Sequence, residues 1–312
     1  MYEDLSIEAP GLPLFQAPLM MDSRYYPLLG VRRLLVEAGL IRLRVPPRQA
    51  LATPPFWELL ALSGRQTAVI RLPYSYPADR QGGALVISDW VGDDWQVMGV
   101  STEGTGPLVA PAEETPALLK WYKPSPGFAL EMEAEFFPGG MPTLSAQGRA
   151  ALDELRRGFT LDLQTFAAAR HVAKTHPGFN IALYLGGWDA ANHAFWRYGA
   201  PGAISDPEQG SDAVALAGVL DRYLVFLDRS LQELLDALVP APNVVVVSDH
   251  GFSEGWHGKH AMFLASGPGI PVSDRVQSLS YFDVVPTLLD LQGLAPPPSL
   301  KGKSLLSKKA RP

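Results

Sequence analysis

Residues 180–193 have the sequence NIALYLGGWDAANH, and residues 243–250 have the sequence NVVVVSDH. These two stretches decide the fold, because each begins with a strongly apolar run and ends in charged side chains. Unbroken runs of Val, Ile and Leu are typical of strands that are buried on both faces in a parallel sheet. We therefore predict that both stretches contribute strands to one mostly parallel sheet.

Two helical patterns accompany these strands. Residues 147–173 and residues 211–238 carry apolar side chains at spacings of three and four, as amphipathic helices do. The order along the chain is therefore helix, strand, helix, strand. That order predicts an α/β fold in which helices cover both faces of a mostly parallel central sheet.

The first half of the chain adds further strand patterns. QTAVIRLP at 66–73 and GALVISDW at 83–90 predict two more strands, and GLIRLRV at 39–45 is the strand-like run nearest the start. The stretch from about 91 to 146 is rich in Gly and Pro, which predicts an inserted cap-like region of loops and short strands. Because we interpret this stretch as a cap rather than a separate domain, we predict a single domain over residues 1–312.

Composition limits the function and the chemistry of any site. The formal net charge of −6 argues against a broad basic surface for nucleic acid or anionic lipid. The absence of cysteine excludes disulfides and thiolate nucleophiles, so a metal would have to be held by His and carboxylate side chains. No apolar run reaches the roughly 18 residues of a membrane span, and the N-terminus lacks signal-peptide features. We expect a soluble protein whose compartment and oligomeric state are open.

Charged residues follow both deciding strands. Asp189 and His193 are four positions apart, so on a helix they share one face. Asp249 and His250 are adjacent at a strand end and point in different directions, which suits two neighbouring ions. His257 follows in a loop rich in Gly and Ser. Ligands bind at the carboxyl ends of strands in open α/β sheets, so we predict that these five side chains meet there around divalent metal.

Each of these motifs also has a simpler interpretation. A lone pair of Asp and His is more often a surface pair than a set of metal ligands, but four of the six histidines lie in or just after the two motifs. His260 competes with His257 as a ligand. We interpret Trp196, Arg197 and Tyr198 as packing and surface residues.

Three strings carry a resemblance to a known family. They are YLGGWDAANHAFWRYGAP at 184–201, VVVVSDHGFSEGWHGKHAMFLASGPGI at 244–270 and SYFDVVPTLLDLQGLAPPPSLKGKSLL at 280–306. In this order they resemble the C-terminal half of type I phosphodiesterase/nucleotide pyrophosphatase proteins of the alkaline-phosphatase superfamily. PFWELLALSGRQTAVIRLPYSYP at 55–77 resembles an earlier part of the same family, so the similarity spans roughly residues 54 to 306.

The resemblance implies a hydrolase for small-molecule phosphate esters with two divalent metal ions, zinc or alternatively manganese. Asp189, His193 and His257 resemble the ligands of one ion, and Asp249 and His250 those of the second. His257 fits the family pattern better than His260 does. Sulfatases are less expected because the sequence has no Cys-x-Pro-x-Arg motif.

Two parts of the family pattern have no match in this sequence. The family has a metal-binding Asp at the end of an N-terminal strand and a Thr or Ser nucleophile at a helix start, whereas Asp4 and Asp22 lie in polar, proline-interrupted stretches. Thr53 imitates the nucleophile segment, but the order of the downstream match predicts that Thr53 is a helix N-cap. We therefore expect an N-terminally incomplete domain with impaired activity. The alternative is a non-catalytic binding or scaffold member of the same fold.

Overall fold

The computed structural model describes residues 4–8, 15–18, 38, 40, 42–44, 51, 53–79, 82–92, 106–123, 126–199, 210–253, 255–272 and 279–306. The strands in these ranges are β1 (Asp4–Glu8), β2 (Phe15–Pro18), β3 (Arg42–Arg44), β4 (Thr67–Ile70), β5 (Leu85–Ile87), β6 (Val109–Ala110), β7 (Asn180–Leu183), β8 (Val244–Val247), β9 (Gly251–Ser253), β10 (Trp256–Gly258) and β11 (Phe263–Ser266). The α-helices are α1 (Phe56–Leu62), α2 (Thr115–Leu119), α3 (Pro126–Phe136), α4 (Ala146–Thr175), α5 (Gly187–Gly199), α6 (Gly210–Leu216), α7 (Val219–Asp236) and α8 (Val284–Leu291).

The chain divides into two compact units. The first contains the described residues within 1–62, 66–122 and 180–184, and the second contains those within 63–65, 123–179 and 185–312. All five predicted metal ligands belong to the second unit. The single domain with an inserted cap remains a prediction.

A mostly parallel sheet forms the centre of the first unit. Its strand order is β6-β5-β4-β7, in which β4 pairs in parallel with β5 and β7, and β6 is antiparallel to β5. Every residue of β4 and β5 is buried, as expected for apolar runs inside a parallel sheet. The α/β class and the strands at 66–73, 83–90 and 180–187 are therefore confirmed.

Helix α1 covers part of this sheet, because its Trp57 is buried in one apolar cluster with Val69 of β4 and Val86 of β5. A second sheet in the same unit is antiparallel, with the order β2-β1-β3. Strand β3 confirms the strand-like run at 39–45. Strands β1 and β2 were not predicted, because such short segments carry little pattern.

Long helices dominate the second unit. The Ser145 hydroxyl caps α4 by accepting a hydrogen bond of 3.1 Å from the Gly148 amide. Aromatic rings fill the space between α3, α4 and α7, with the Phe159 ring 5.3 Å from that of Phe136 and 4.7 Å from that of Phe226. Helix α4 confirms the prediction at 147–173. None of the described helices is long and apolar enough to cross a membrane.

Strand β8 does not lie in the parallel sheet, so that prediction was wrong. It pairs antiparallel with β11, with Val247 opposite Phe263 and Val244 opposite Ser266. The reason is that the chain after β8 forms the β9-β10 hairpin and then returns directly beside β8, as antiparallel neighbours do after a short connection. Strands β7 and β8 therefore belong to different sheets.

Two further expectations also need correction. The helical pattern at 211–238 is two helices, α6 and α7, because Gly218 interrupts it and a glycine disfavours a helix interior. Within 91–146, the described residues contain one short strand, β6, and several helical segments, of which α3 is the longest. In the described part of this range, helices stand where loops and short strands were predicted. They were missed because periodicity is weak in a stretch so rich in Gly and Pro.

Candidate metal centre

Helix α5 carries the first two predicted ligands. Asp189 and His193 lie one turn apart, and His193 Nε2 is 3.6 Å from Asp189 Oδ1. The shared helix face expected from their spacing is therefore present.

The β9-β10 hairpin brings two imidazoles together. His250 immediately precedes β9, and His257 of β10 pairs with Phe252 of β9. The rings of His250 and His257 are stacked, with centroids 3.7 Å apart and an interplanar angle of 15°. A glycine is needed at position 251 because the chain at His260 passes close to it. A Cβ atom there would come within 2.5 Å of the His260 carbonyl oxygen.

Three histidines surround one carboxylate oxygen. Asp189 Oδ1 is 3.4 Å from His257 Nε2, 3.6 Å from His193 Nε2 and 3.9 Å from His250 Nε2. His193 Nε2 is also 2.8 Å from His257 Nε2. The ligand atoms of Asp189, His250 and His257 all lie within 4.8 Å of one another. Helix α5 and the hairpin therefore bring Asp189, His250 and His257 together, and His193 lies beside Asp189 and His257 but outside this group of three.

Asp189 Oδ1 provides a test of whether these residues fit a metal ion. It is buried and has no hydrogen-bond partner in the described part of the chain. Buried carboxylate oxygens are normally paired, and an unpaired one is costly. A cation would satisfy it, and a carboxylate with several imidazoles is a donor set that zinc uses. The residues present fit a divalent ion.

Asp249 occupies the edge of this group. Its side chain is 66% exposed, and its Oδ1 is 3.6 Å from His250 Nε2. The Tyr281 hydroxyl donates a hydrogen bond to the Asp249 backbone carbonyl. His250 thus approaches both Asp189 and Asp249, so the two ligand sets implied by the resemblance share one side chain in the structure.

Burial and the neighbouring histidines favour the neutral form of His257. Partial burial lowers the pKa of His257, and the nearby His250 and His193 lower it further, while Asp189 and Asp249 oppose this shift. A neutral imidazole is the form that binds metal. The lowered pKa therefore favours a neutral His257 side chain near neutral pH.

The competing residues lie as follows. Among described residues, the group of candidate ligands contains His257 and not His260, which is exposed. The ring of Trp196 packs 5.7 Å from that of Phe252. Tyr198 is 1% exposed and Arg197 is on the surface, in keeping with packing and surface roles.

Thr53 is not a helix N-cap, contrary to the prediction. Helix α1 begins at Phe56, and the Pro55 carbonyl accepts hydrogen bonds from the Glu58 and Leu59 amides. Thr53 is exposed and precedes Pro54 and Pro55, so it is too far from the helix start to cap it.

Sequence reasoning missed three supporting contacts. The Phe252 ring lies edge-on to His193, at a centroid distance of 4.8 Å. The Tyr281 contact with Asp249 is the second. The third is a hydrogen bond of 3.3 Å from the Gly187 amide, at the start of α5, to Asp162 Oδ1. A signal for Asp162 exists, because it is an acidic residue on the apolar face of the pattern at 147–173.

A comparison with protein families identifies the family of the chain. The model of the type I phosphodiesterase / nucleotide pyrophosphatase family matches residues 35–267. The chain therefore belongs to this family, which comprises hydrolases that act on phosphoric esters and typically depend on divalent metal. The resemblance stated from the three strings is confirmed.

A curated relative comes from the same superfamily. Arylsulfatase K of Mus musculus is 38% identical over 76 residues, which cover 20% of this chain and 14% of the mouse protein. The match thus covers only a small part of the mouse protein. No solved structure matches the chain.

Proposed function

We propose that this chain binds divalent metal and belongs to a hydrolase of phosphate esters, of the phosphodiesterase or phosphatase type. One observation carries the proposal: the buried, unpaired Asp189 Oδ1 faces the Nε2 atoms of three histidines at 3.4 to 3.9 Å. Asp189 Oδ1 has no hydrogen-bond partner among the described residues, and a cation between these atoms would satisfy it.

Each ligand has a defined part in the proposal. Asp189, His193 and His257 hold the first ion, and Asp249 with His250 forms the weaker second set. Zinc suits this mixture of carboxylate and imidazole, and manganese is the alternative. When bound, the ions supply positive charge for the phosphoryl oxygens of the ester. The protein itself has fewer cationic than acidic side chains, so it supplies no net positive charge for that purpose.

The chain's own residues prepare the site. Asp189 supplies the negative charge that attracts the cation, and the stacked His250 and His257 present their nitrogens to it. The Phe252 ring packs edge-on against His193, and the Trp196 ring lies 5.7 Å from the Phe252 ring.

Turnover by these 312 residues should be slow. The sequence contains no convincing match to the family's Thr or Ser nucleophile or to the Asp of its N-terminal strand. Groups that act together in catalysis lose most of their effect when one of them is removed. We propose that one ion binds at the first set and that the second set, with only Asp249 and His250, binds weakly.

A non-catalytic binding or scaffold role is the second candidate. The observation in its favour is the same lack of a matching nucleophile in the sequence. It differs from the hydrolase proposal in one respect: metal binding would bring no ester hydrolysis at all, even at high enzyme concentration.

Ester hydrolysis with added metal tests the proposal. The chain is titrated with zinc or manganese, and hydrolysis of p-nitrophenyl phosphate and bis-p-nitrophenyl phosphate is followed. We expect slow, metal-dependent turnover that His257→Ala abolishes and that His260→Ala, an exposed matched control, leaves intact. Turnover equal in both variants and independent of metal would contradict the hydrolase proposal, and metal binding without any turnover would favour the scaffold.

Robust turnover that Thr53→Ala abolishes would instead make Thr53 the nucleophile.

A further inference from the structure

The N-terminus of α5 is held by a buried carboxylate on α4. Asp162 is fully buried. Its Oδ1 accepts a hydrogen bond of 3.3 Å from the Gly187 amide, and its Oδ2 accepts one of 2.9 Å from the Tyr223 hydroxyl. Both carboxylate oxygens therefore act as hydrogen-bond acceptors.

The surrounding residues explain why this carboxylate tolerates burial. A negative charge is stabilised at a helix N-terminus, where the first amides have no partner within the helix. Burial and the neighbouring Asp162 raise the pKa of Tyr223 well above its usual range, so its hydroxyl keeps the proton that it donates. The Gly187 amide and the Tyr223 hydroxyl thus both hold Asp162 in place.

Close packing leaves α5 little freedom at this point. A Cβ atom on Gly187 would lie 1.9 Å from the Tyr223 hydroxyl oxygen and 2.6 Å from Asp162 Oδ2. A Cβ atom on Gly158, one turn before Asp162 in α4, would come within 2.9 Å of the Gly187 Cα atom. Two glycines therefore let the start of α5 lie directly against α4, where the carboxylate can reach its amide.

Asp189 is two positions after Gly187, in the first turn of α5. The position and direction of that turn decide where Asp189 Oδ1 lies relative to the three imidazole nitrogens. A small rotation of the helix start would change the distances of 3.4 to 3.9 Å between Asp189 Oδ1 and the three imidazole nitrogens. These atoms must all lie close to one point to coordinate the same ion.

We propose that Asp162 is a positioning residue for the metal site: by anchoring the Gly187 amide it fixes the first turn of α5 and so aims Asp189 at the histidines. This inference rests on the proposed metal binding. Residues that orient metal ligands typically change metal affinity by about 10- to 100-fold when they are replaced.

The main variant is Asp162→Asn in the full chain. Asparagine keeps the size of the side chain but replaces one carboxylate oxygen with an NH2 donor, so one of the two hydrogen bonds, which go to different oxygens, is lost. The matched control is Asp212→Asn, another buried aspartate in the second unit, which accepts hydrogen bonds from the Ser145 amide and hydroxyl near the start of α4. Both variants should lower the melting temperature, but only the first should disturb the metal site.

The measurement is cobalt binding, followed by its visible absorption, well below the melting temperature of each variant. We expect Asp162→Asn to bind Co²⁺ at least about tenfold more weakly than the wild type and with an altered spectrum. Asp212→Asn should bind it as the wild type does. Faster hydrogen exchange of the Gly187 amide in metal-free Asp162→Asn should accompany the loss.

Each outcome has a distinct meaning. If Asp162→Asn binds Co²⁺ with unchanged affinity and spectrum, the positioning role is wrong while the metal site stands. If the wild type binds no Co²⁺, the proposed metal function is wrong and this inference falls with it. Should Asp162→Asn fail to fold, Tyr223→Phe takes its place: it removes only the hydrogen bond at Oδ2, and a smaller loss of Co²⁺ affinity supports the role whereas wild-type affinity contradicts it.

Discussion

His193 Nε2 lies 2.8 Å from His257 Nε2, although 64 residues separate the two histidines in the sequence. At this distance, either one ring donates a hydrogen bond to the other or both nitrogens face a common ion. Two protonated rings would repel each other. The pair therefore links helix α5 to the β9-β10 hairpin.

Metal binding should weaken as the pH falls. Zinc binds neutral imidazole, so protons compete for the same nitrogens. Because partial burial and the nearby His250 lower the pKa of His257, that residue loses its proton at a lower pH than an ordinary histidine does. We expect zinc affinity measured by calorimetry to change little from pH 8 to 7 and to drop at pH 5.5. An affinity that is the same at pH 5.5 and pH 7.5 would show that the histidines are not ligands.

A second pH effect should arise in the first unit. Burial raises the pKa of Asp89 to about 7, although the Tyr74 amide donates to its Oδ2 and the Ser75 hydroxyl to its Oδ1. In the unfolded chain the same carboxyl has a pKa of 3.8. The folded state holds its proton more tightly, so this contribution to stability is fully present below about pH 4 and is lost as the pH rises through about 7.

Asp89→Asn removes that dependence. Between pH 4 and pH 7 the free energy of unfolding of the wild type should fall relative to the variant, by at most about 1.4 kcal/mol per pH unit. Urea unfolding at several pH values measures it. Asp153→Asn is the control, because Asp153 is exposed in a surface pair with Arg156. A constant difference between the wild type and Asp89→Asn across this range would mean that Asp89 is ionised throughout.

Gly187→Ala should destabilise the protein strongly. The new Cβ atom would collide with the Tyr223 hydroxyl and the Gly158 carbonyl, and overpacking of this kind costs about 1 to 3 kcal/mol or more. Gly199→Ala, at the other end of α5, is the matched control, since among the described residues its Cβ atom would meet only the Ala217 carbonyl, at 3.9 Å. Thermal unfolding compares the two variants. Equal melting temperatures would show that α5 and α4 are not in close contact at Gly187.

The sequence predicts those parts of the structure that depend on local patterns. Apolar runs predicted β4, β5 and β7, and spacings of three and four predicted α4. The partner of β8 was not predictable, because pairing with β11 depends on the hairpin between them rather than on the β-branched run itself. The break at Gly218 was visible in the sequence but was outweighed by the apolar periodicity on either side.

The same division applies to the candidate site. Charged residues at the ends of apolar runs indicated which side chains to consider, and the structure brings Asp189, His193, His250 and His257 together with Asp249 at the edge. Their support was not predictable in this way. The contact between Asp162 and Gly187 joins residues on two helices, and no local pattern indicates that these two positions meet.

The central claim is that Asp189 and the histidines bind a divalent ion, and zinc calorimetry of the full chain tests it most directly. The wild type should bind about one zinc ion at the first ligand set, and Asp189→Asn, which removes the negative charge with little change in size, should bind it at least about tenfold more weakly. Absence of zinc binding by a folded wild-type chain, or equal zinc affinity in Asp189→Asn, would contradict the account.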